Sequence, residues 1–156
     1  MPTNPIARKG DESRALWLLG GLYEIVVSGD ETDGKVTVMR MTAPAGTGSP
    51  PHTHPGDELL YVLEGDLSVH IGDDVVAAHA GASFYFPAGT REWFAAETQA
   101  TVLATYTPGG IDKFFAEVGE PALTRTLPPA SDTPPDLQRI ISVAAKYGMN
   151  IEAPPQ

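Results

Sequence analysis

The chain lacks cysteine and is poor in histidine and in basic residues. Its 156 residues include no cysteine and four histidines, and 10 Lys and Arg against 20 Asp and Glu give a formal net charge of −10. The absence of cysteine excludes disulfides, thiolate metal sites and cysteine nucleophiles, which suits a reducing compartment. The excess of acid argues against nucleic acid or an anionic membrane as a partner, because both are bound by clustered Lys and Arg.

Long hydrophobic runs are missing as well. The apolar run near the N-terminus, residues 15–19, is too short for a signal peptide, and no segment approaches a membrane span. We therefore predict a cytoplasmic protein without a membrane partner. The length favours one domain with a sizeable hydrophobic core.

The secondary structure that the sequence predicts consists mainly of short strands separated by turn residues. Gly, Asp or Pro stands in nearly every gap between them, and no alternation of strands with helices appears before residue 110. This pattern predicts an all-β sandwich or barrel. The predicted strands cover residues 22–28, 35–41, 59–63, 67–71, 75–78, 83–86, 92–95 and 101–107.

Two short helices are predicted after the strands, on either side of a Pro-rich linker at 121–135. Four apolar residues at helical spacing define the first helix, which Gly119 ends. The second is predicted to begin at Thr133 as N-cap and to end at Gly148. Each helix must bury its apolar stripe on the barrel or on a partner subunit. The stripes are Ile111, Phe114, Phe115 and Val118 in the first helix, and Leu137, Ile140, Ile141 and Ala144 in the second.

Two of the four histidines, His52 and His54, are separated by one residue. In an extended strand this spacing places both imidazoles on the same face. A turn at Pro55-Gly56 allows Glu58 to return beside them at the start of the next strand. Two imidazoles and a carboxylate are suitable ligands for Fe(II), Mn(II), Ni(II) or Zn(II). The alternative interpretation is a surface loop, because isolated His-x-His pairs are common.

The spacing around the histidine pair resembles the first motif of the cupin superfamily. Residues 46–65 read G-x5-H-x-H-x3-E-x6-G without a gap, and residues 81–96 follow the second motif, G-x5-P-x-G-x2-H-x3-N, at its glycine and proline positions. The second motif departs from the family pattern at Glu92, which replaces the histidine, and at Ala96, which replaces the asparagine. The chain looks like a small single-domain cupin related to quercetin 2,3-dioxygenases.

The resemblance implies a double-stranded β-helix, the jelly-roll barrel of cupins, followed by two short C-terminal helices. Residues 1–34 would supply N-terminal strands that pack on the barrel, residues 35–107 the cupin core, and residues 108–156 the helices and the linker. Because cupins commonly pair through edge strands, we expect a homodimer, and the apolar segment 15–27 is suited to form or cover such an edge.

The resemblance also implies a divalent metal ion held by His52, His54 and Glu58, with Glu92 at the fourth ligand position. Three interpretations of Glu92 stay open. It ligates the metal directly, it acts as a general base beside the metal, or the site holds no metal and Glu92 is hydrogen-bonded in a polar cavity. Glu92 and Glu58 are the candidate catalytic carboxylates.

The resemblance favours a metal-dependent enzyme with a small organic substrate, either a quercetinase-like dioxygenase or a related tailoring enzyme. The metal would be Fe, Mn, Ni or Zn. Two alternatives remain: an O₂-independent cyclase or isomerase in small-molecule biosynthesis, and a ligand-binding cupin without enzymatic activity. The fold alone does not decide among them, because one fold hosts many functions.

Overall fold

Short strands bounded by glycine, proline or acidic residues form two antiparallel sheets in the computed structural model, which describes residues 4–153. This confirms the predicted all-β jelly-roll architecture. The larger sheet has the spatial order β11 (Glu120–Pro121), β1 (Arg14–Leu18), β2 (Gly21–Val27), β3 (Thr37–Ala43), β10 (Ala100–Thr107), β5 (Asp57–Glu64) and β8 (Ser83–Phe86). The smaller sheet has the order β12 (Asn150–Ile151), β4 (His52–Thr53), β9 (Glu92–Ala96), β6 (Leu67–Ile71) and β7 (Asp74–Ala78).

Each of the eight predicted strands corresponds to a strand of the structure, with ends that shift by one or two residues in most cases. Strand β1 and the two-residue strands β4, β11 and β12 were not predicted. Two residues are too few to show a period of two, so such strands are formed by pairing with distant neighbours. The omission matters at β4, because this strand carries His52.

The core lies between the two sheets and is built from alternating positions. Met39, Val62 and Ala104 are completely buried on three adjacent strands of the larger sheet, and Leu67 and Val69 face them from the smaller one. Burial of one such aliphatic side chain stabilises the fold by roughly 1.5–3 kcal/mol.

The first helix, α1 (Asp112–Val118), is confirmed and is followed by Gly119 as predicted. Phe114 and Phe115 are buried in the core, and the Phe115 ring stacks on Tyr23 with 5.3 Å between ring centroids. The Asp112 carboxylate accepts hydrogen bonds from the Gly29 amide at 2.9 Å and the Thr37 hydroxyl at 2.6 Å. These bonds tie the start of α1 to the larger sheet.

The second helix, α2 (Leu137–Lys146), begins later than predicted. Asp136, not Thr133, is its N-cap, and its carboxylate accepts a hydrogen bond from the Arg139 amide at 3.0 Å. The predicted start was wrong because Pro134 precedes another proline, and a residue in that position is pushed out of the helical region. Gly148, with φ +75°, follows the helix as predicted.

Strand β1 lies inside the larger sheet, between β2 and the two-residue β11, so it is not an edge strand. The Trp17 indole donates a hydrogen bond to the Thr126 carbonyl at 2.9 Å, which holds the linker against this strand. The division at residues 34 and 107 stays a prediction, and its outermost residues, 1–3 and 154–156, lie outside the described part. Neither helix in residues 4–153 has the length and hydropathy to cross a membrane. A cytoplasmic location stays a prediction.

Candidate metal centre

Three strands from both sheets bring the predicted site residues together. His52 on β4 lies directly opposite Glu92 on β9, and Glu58 is near the start of β5. His54 follows β4 and leads into the predicted turn. A Cβ atom at Gly56 would lie 2.6 Å from the Thr107 carbonyl oxygen, so glycine is required for the close approach of this turn to β10.

The four side chains form one tight cluster inside the barrel. Each offers a ligand atom, and these atoms all lie within 4.8 Å of one another. The His54 Nε2 atom is 2.8 Å from Glu58 Oε2 and 3.1 Å from Glu92 Oε1, and the His52 Nε2 atom is 3.5 Å from Glu92 Oε1. His54, Glu58 and Glu92 are each only 5% exposed. The cluster is therefore able to bind a metal ion.

Backbone carbonyl groups fix the orientation of both imidazoles. The Nδ1 atom of His52 donates to the Pro50 carbonyl at 2.9 Å, and that of His54 donates to the Gly56 carbonyl at 2.8 Å. A carbonyl oxygen only accepts, so Nδ1 carries the proton in each ring. A neutral imidazole then presents its lone pair at Nε2, toward the carboxylates. Metal-ligating histidines typically make such a hydrogen bond from their other ring nitrogen.

The chemistry of the donor set fits a divalent cation. Two lone pairs and two carboxylates repel one another unless a proton or a metal ion lies among them. Nitrogen and oxygen ligands about 2.1 Å from an ion, at right angles to each other, lie about 3 Å apart. The three N–O distances, 2.8, 3.1 and 3.5 Å, lie around this value.

The same cluster retains protons when no metal is bound. Burial, together with the adjacent Glu92 carboxylate, raises the pKa of Glu58 to about 7. Burial also opposes ionisation of Glu92, but its hydrogen bonds with Glu58, His52 and His54 lower its pKa below the usual value. Burial would lower the pKa of His54, but its hydrogen bonds to both carboxylates outweigh this and raise the pKa to about 10. Metal binding therefore competes with protons.

A small cavity of about 60 Å³ adjoins the cluster inside the barrel. Two tyrosines at this cavity were not identified from the sequence. Tyr106 lies opposite Glu58 across β5 and β10, and its ring meets His54 edge-on with 5.5 Å between centroids. Tyr23 lies on β2, and its ring stacks on that of Phe115. The position of both tyrosines at the site follows only from the pairing of strands that are far apart in the sequence. The other residues that line the cavity are Met41, Ser49, Leu60, Val69, Trp93 and Phe94.

A second cavity, of about 300 Å³, lies on the other side of His54 and Tyr106. It is bounded by the Pro55-Gly56 turn, by residues 108–111, and by Lys113 and Tyr147 from the two helices. The His54 Nε2 atom is directed at Glu58 and Glu92, which line the smaller cavity. A molecule that reaches an ion held by the cluster would therefore bind in the smaller cavity, which His52, Glu58 and Glu92 line.

Comparison with known families and structures agrees with this architecture. The profile of a family described as "Cupin domain" matches residues 39–107. A search of proteins with curated functions finds no match to the sequence.

Solved structures with a similar fold share little sequence with the chain. An RmlC-like cupin from Shewanella frigidimarina superposes with a TM-score of 0.62 at 17% identity, over 72% of this chain and 99% of its own. A predicted oxalate decarboxylase from Thermotoga maritima gives 0.59 at 21%, over 66% and 99%. A variant of the salicylate 1,2-dioxygenase from Pseudoaminobacter salicylatoxidans gives 0.54 at 19%, over 62% and 29%. At these identities the likeness shows the fold and not the reaction.

Proposed function

We propose that the chain, whose residues 39–107 match the cupin domain family, is a divalent-metal-dependent enzyme that acts on a small organic molecule with dioxygenase-like chemistry. The observation that carries this proposal is the convergence of His52, His54, Glu58 and Glu92, with both Nε2 atoms turned toward the carboxylates. Similar folds include proteins described as a predicted oxalate decarboxylase and a salicylate 1,2-dioxygenase, which supports a small-molecule substrate.

In this proposal His52, His54 and Glu58 hold the metal, and Glu92 is the fourth ligand. The Glu92 Oε1 atom is near both imidazole nitrogens, at 3.1 and 3.5 Å, which supports its role as a ligand. Bound there, Fe(II), Mn(II), Ni(II) or Zn(II) would supply Lewis-acid chemistry, and a redox-active ion would also supply chemistry with O₂. A second carboxylate makes the ion a weaker Lewis acid than a third histidine would.

The chain's own residues orient the ligands and exclude bulk water. The Pro50 and Gly56 carbonyls fix the tautomer of both histidines. Phe115 and Tyr23 stack on each other and line the interior cavity, and His54, Glu58 and Glu92 are each only 5% exposed. Water exclusion strengthens the electrostatic interactions of the site.

The size of the interior cavity limits how a substrate is bound. Its volume of about 60 Å³ is well below the roughly 300–1,000 Å³ of typical ligand pockets. In a quercetinase-like reaction this cavity would therefore hold the reacting part of the substrate and not a whole flavonol.

Either carboxylate is suited to accept a proton from the substrate, and Glu92→Gln separates the two roles proposed for Glu92. If Glu92 is a ligand, the variant loses metal affinity. If Glu92 is a general base beside a metal held by three ligands, the variant keeps the metal and loses turnover.

An oxygen electrode tests the proposed reaction. Protein loaded anaerobically with Fe(II), Mn(II), Ni(II) or Zn(II) is mixed with a flavonol or an enediol, and the His52→Ala, His54→Ala double variant is the control. Metal-dependent oxygen uptake by the wild type alone supports the dioxygenase. Product formation without oxygen indicates a cyclase or isomerase instead, and tight binding without turnover indicates a ligand-binding cupin.

A further inference from the structure

We propose that Glu92 makes the interior cavity selective for neutral ligands, so that it takes an uncharged molecule with a carbonyl or hydroxyl oxygen and disfavours small anions. This inference rests on the proposed function, because it assumes a divalent ion held by the cluster.

The charge of the centre is set by its four ligands and the ion. Two neutral imidazoles and two carboxylates around a divalent ion give a net charge of zero. With histidine at position 92, the usual family residue, the same centre would carry one positive charge. An anion that binds beside the ion therefore gains no net electrostatic attraction in this chain, whereas it would gain one in a centre with three histidines.

Basic side chains of the described residues do not compensate for the two carboxylates at the cavity. Among residues 4–153, no Lys or Arg lines the interior cavity. Lys113 lines the other cavity and pairs with Asp30 at 2.9 Å, and Arg91 pairs with Glu152. The whole chain carries a formal charge of −10, so its long-range field also repels anions.

The other side chains that line the cavity are all uncharged. The cavity surface is mostly apolar, and three of its lining residues, Tyr23, Ser49 and Tyr106, carry hydroxyl groups. The Ser49 hydroxyl accepts a hydrogen bond from the Phe94 amide at 3.2 Å and keeps its own proton free to donate. Within the described part of the chain, the Tyr23 hydroxyl makes no hydrogen bond to another residue. Neutral hydroxyl donors in an apolar wall suit a carbonyl or hydroxyl oxygen.

Visible absorption of the Co(II)-loaded protein tests this selectivity without measuring turnover. Azide is the anionic probe and acetamide is the neutral carbonyl probe. Each is titrated into the wild type, into Glu92→Gln and Glu92→His, and into the control Glu97→Gln. Glu97 is exposed and bonds to Ser68, so the control removes one negative charge from the same region of the chain without changing the centre.

We expect acetamide to perturb the cobalt spectrum of the wild type at lower concentration than azide does. Azide should bind at least tenfold more tightly to Glu92→Gln and Glu92→His than to the wild type. A unit charge about 4 Å from the bound anion changes the binding constant by up to about a thousandfold at an effective dielectric constant of about 20. Glu97→Gln should behave like the wild type. Glu92→His supplies a replacement ligand at position 92, so the test does not depend on Glu92→Gln retaining Co(II).

Two results would overturn the inference in distinguishable ways. If the wild type takes up Co(II) and binds azide as tightly as both position-92 variants, the selectivity is wrong while the metal centre stands. If equilibrium dialysis shows that the wild type takes up no Co(II), the proposed function fails and this inference fails with it.

Discussion

Removal of the metal should make the stability of the protein fall as the pH rises above neutrality. In the metal-free cluster, burial disfavours the charged form of His54, but the hydrogen bonds to Glu58 and Glu92 outweigh it and raise the pKa from 6.5 to about 10. Between these two values the folded chain holds a proton that the unfolded chain has released. The stabilisation is therefore complete below about pH 6.5 and is lost as the pH rises toward 10.

The size of this effect follows from proton linkage. One extra proton in the folded state changes the unfolding free energy by about 1.4 kcal/mol per pH unit. Between about pH 6.5 and about pH 9.5, the loss from His54 would approach 4 kcal/mol. The raised pKa of Glu58, about 7, acts in the same direction at lower pH. A bound metal reverses the trend, because the ion displaces these protons and binds more tightly as the pH rises.

Urea denaturation with a chelator, followed by tryptophan fluorescence at several pH values, measures the slope. His54→Gln should remove most of it. His79→Gln should keep it, because His79 is exposed and pairs with Asp66 outside the site. Equal stability of the metal-free wild type at pH 6.5 and pH 9.5, or an unchanged slope in His54→Gln, would refute the linkage between His54 and the carboxylates.

Two further predictions concern packing and assembly. Phe115→Ala should destabilise the fold by about 3–5 kcal/mol, because Phe115 is 7% exposed and stacks on Tyr23. The control Leu123→Ala changes an 86% exposed residue and should leave the thermal midpoint within about a degree. An unchanged midpoint in Phe115→Ala would contradict the placement of α1. A homodimer is expected from the family resemblance, with segment 15–27 forming or covering an edge, although β1 itself lies between β2 and β11. Sedimentation velocity at micromolar concentration should show a dimer, and a monomer would count against it.

The fold and the four residues of the candidate site could be predicted from the sequence, because the patterns that indicate them lie within short segments. Alternating strands, helical stripes and the spacing of Gly46, His52, His54, Glu58 and Gly65 all lie within short segments. Glu92 was found through a second short motif, although it departs from that motif. The turn at Pro55-Gly56 was also predicted from residue type alone.

The remaining features depend on contacts between distant segments. Strand β4 is too short to have a period and exists because it pairs with β9 and β12. Tyr23 and Tyr106 reach the site only through the register of the larger sheet, and the buried Asp112 network depends on the position of Gly29. The start of α2 at Asp136 was predictable in principle, since consecutive prolines disfavour an earlier N-cap.

Metal analysis of protein purified without chelator or nickel resin tests the central claim most directly. The measurement compares the wild type with the His52→Ala, His54→Ala double variant by elemental mass spectrometry. We predict one divalent ion per chain in the wild type and essentially none in the double variant, because two of the four converging ligands are removed. Stoichiometric metal in the double variant would contradict the site. Absence of metal from the wild type, even after anaerobic addition of Fe(II), Mn(II), Ni(II) and Zn(II), would contradict the metal-dependent function.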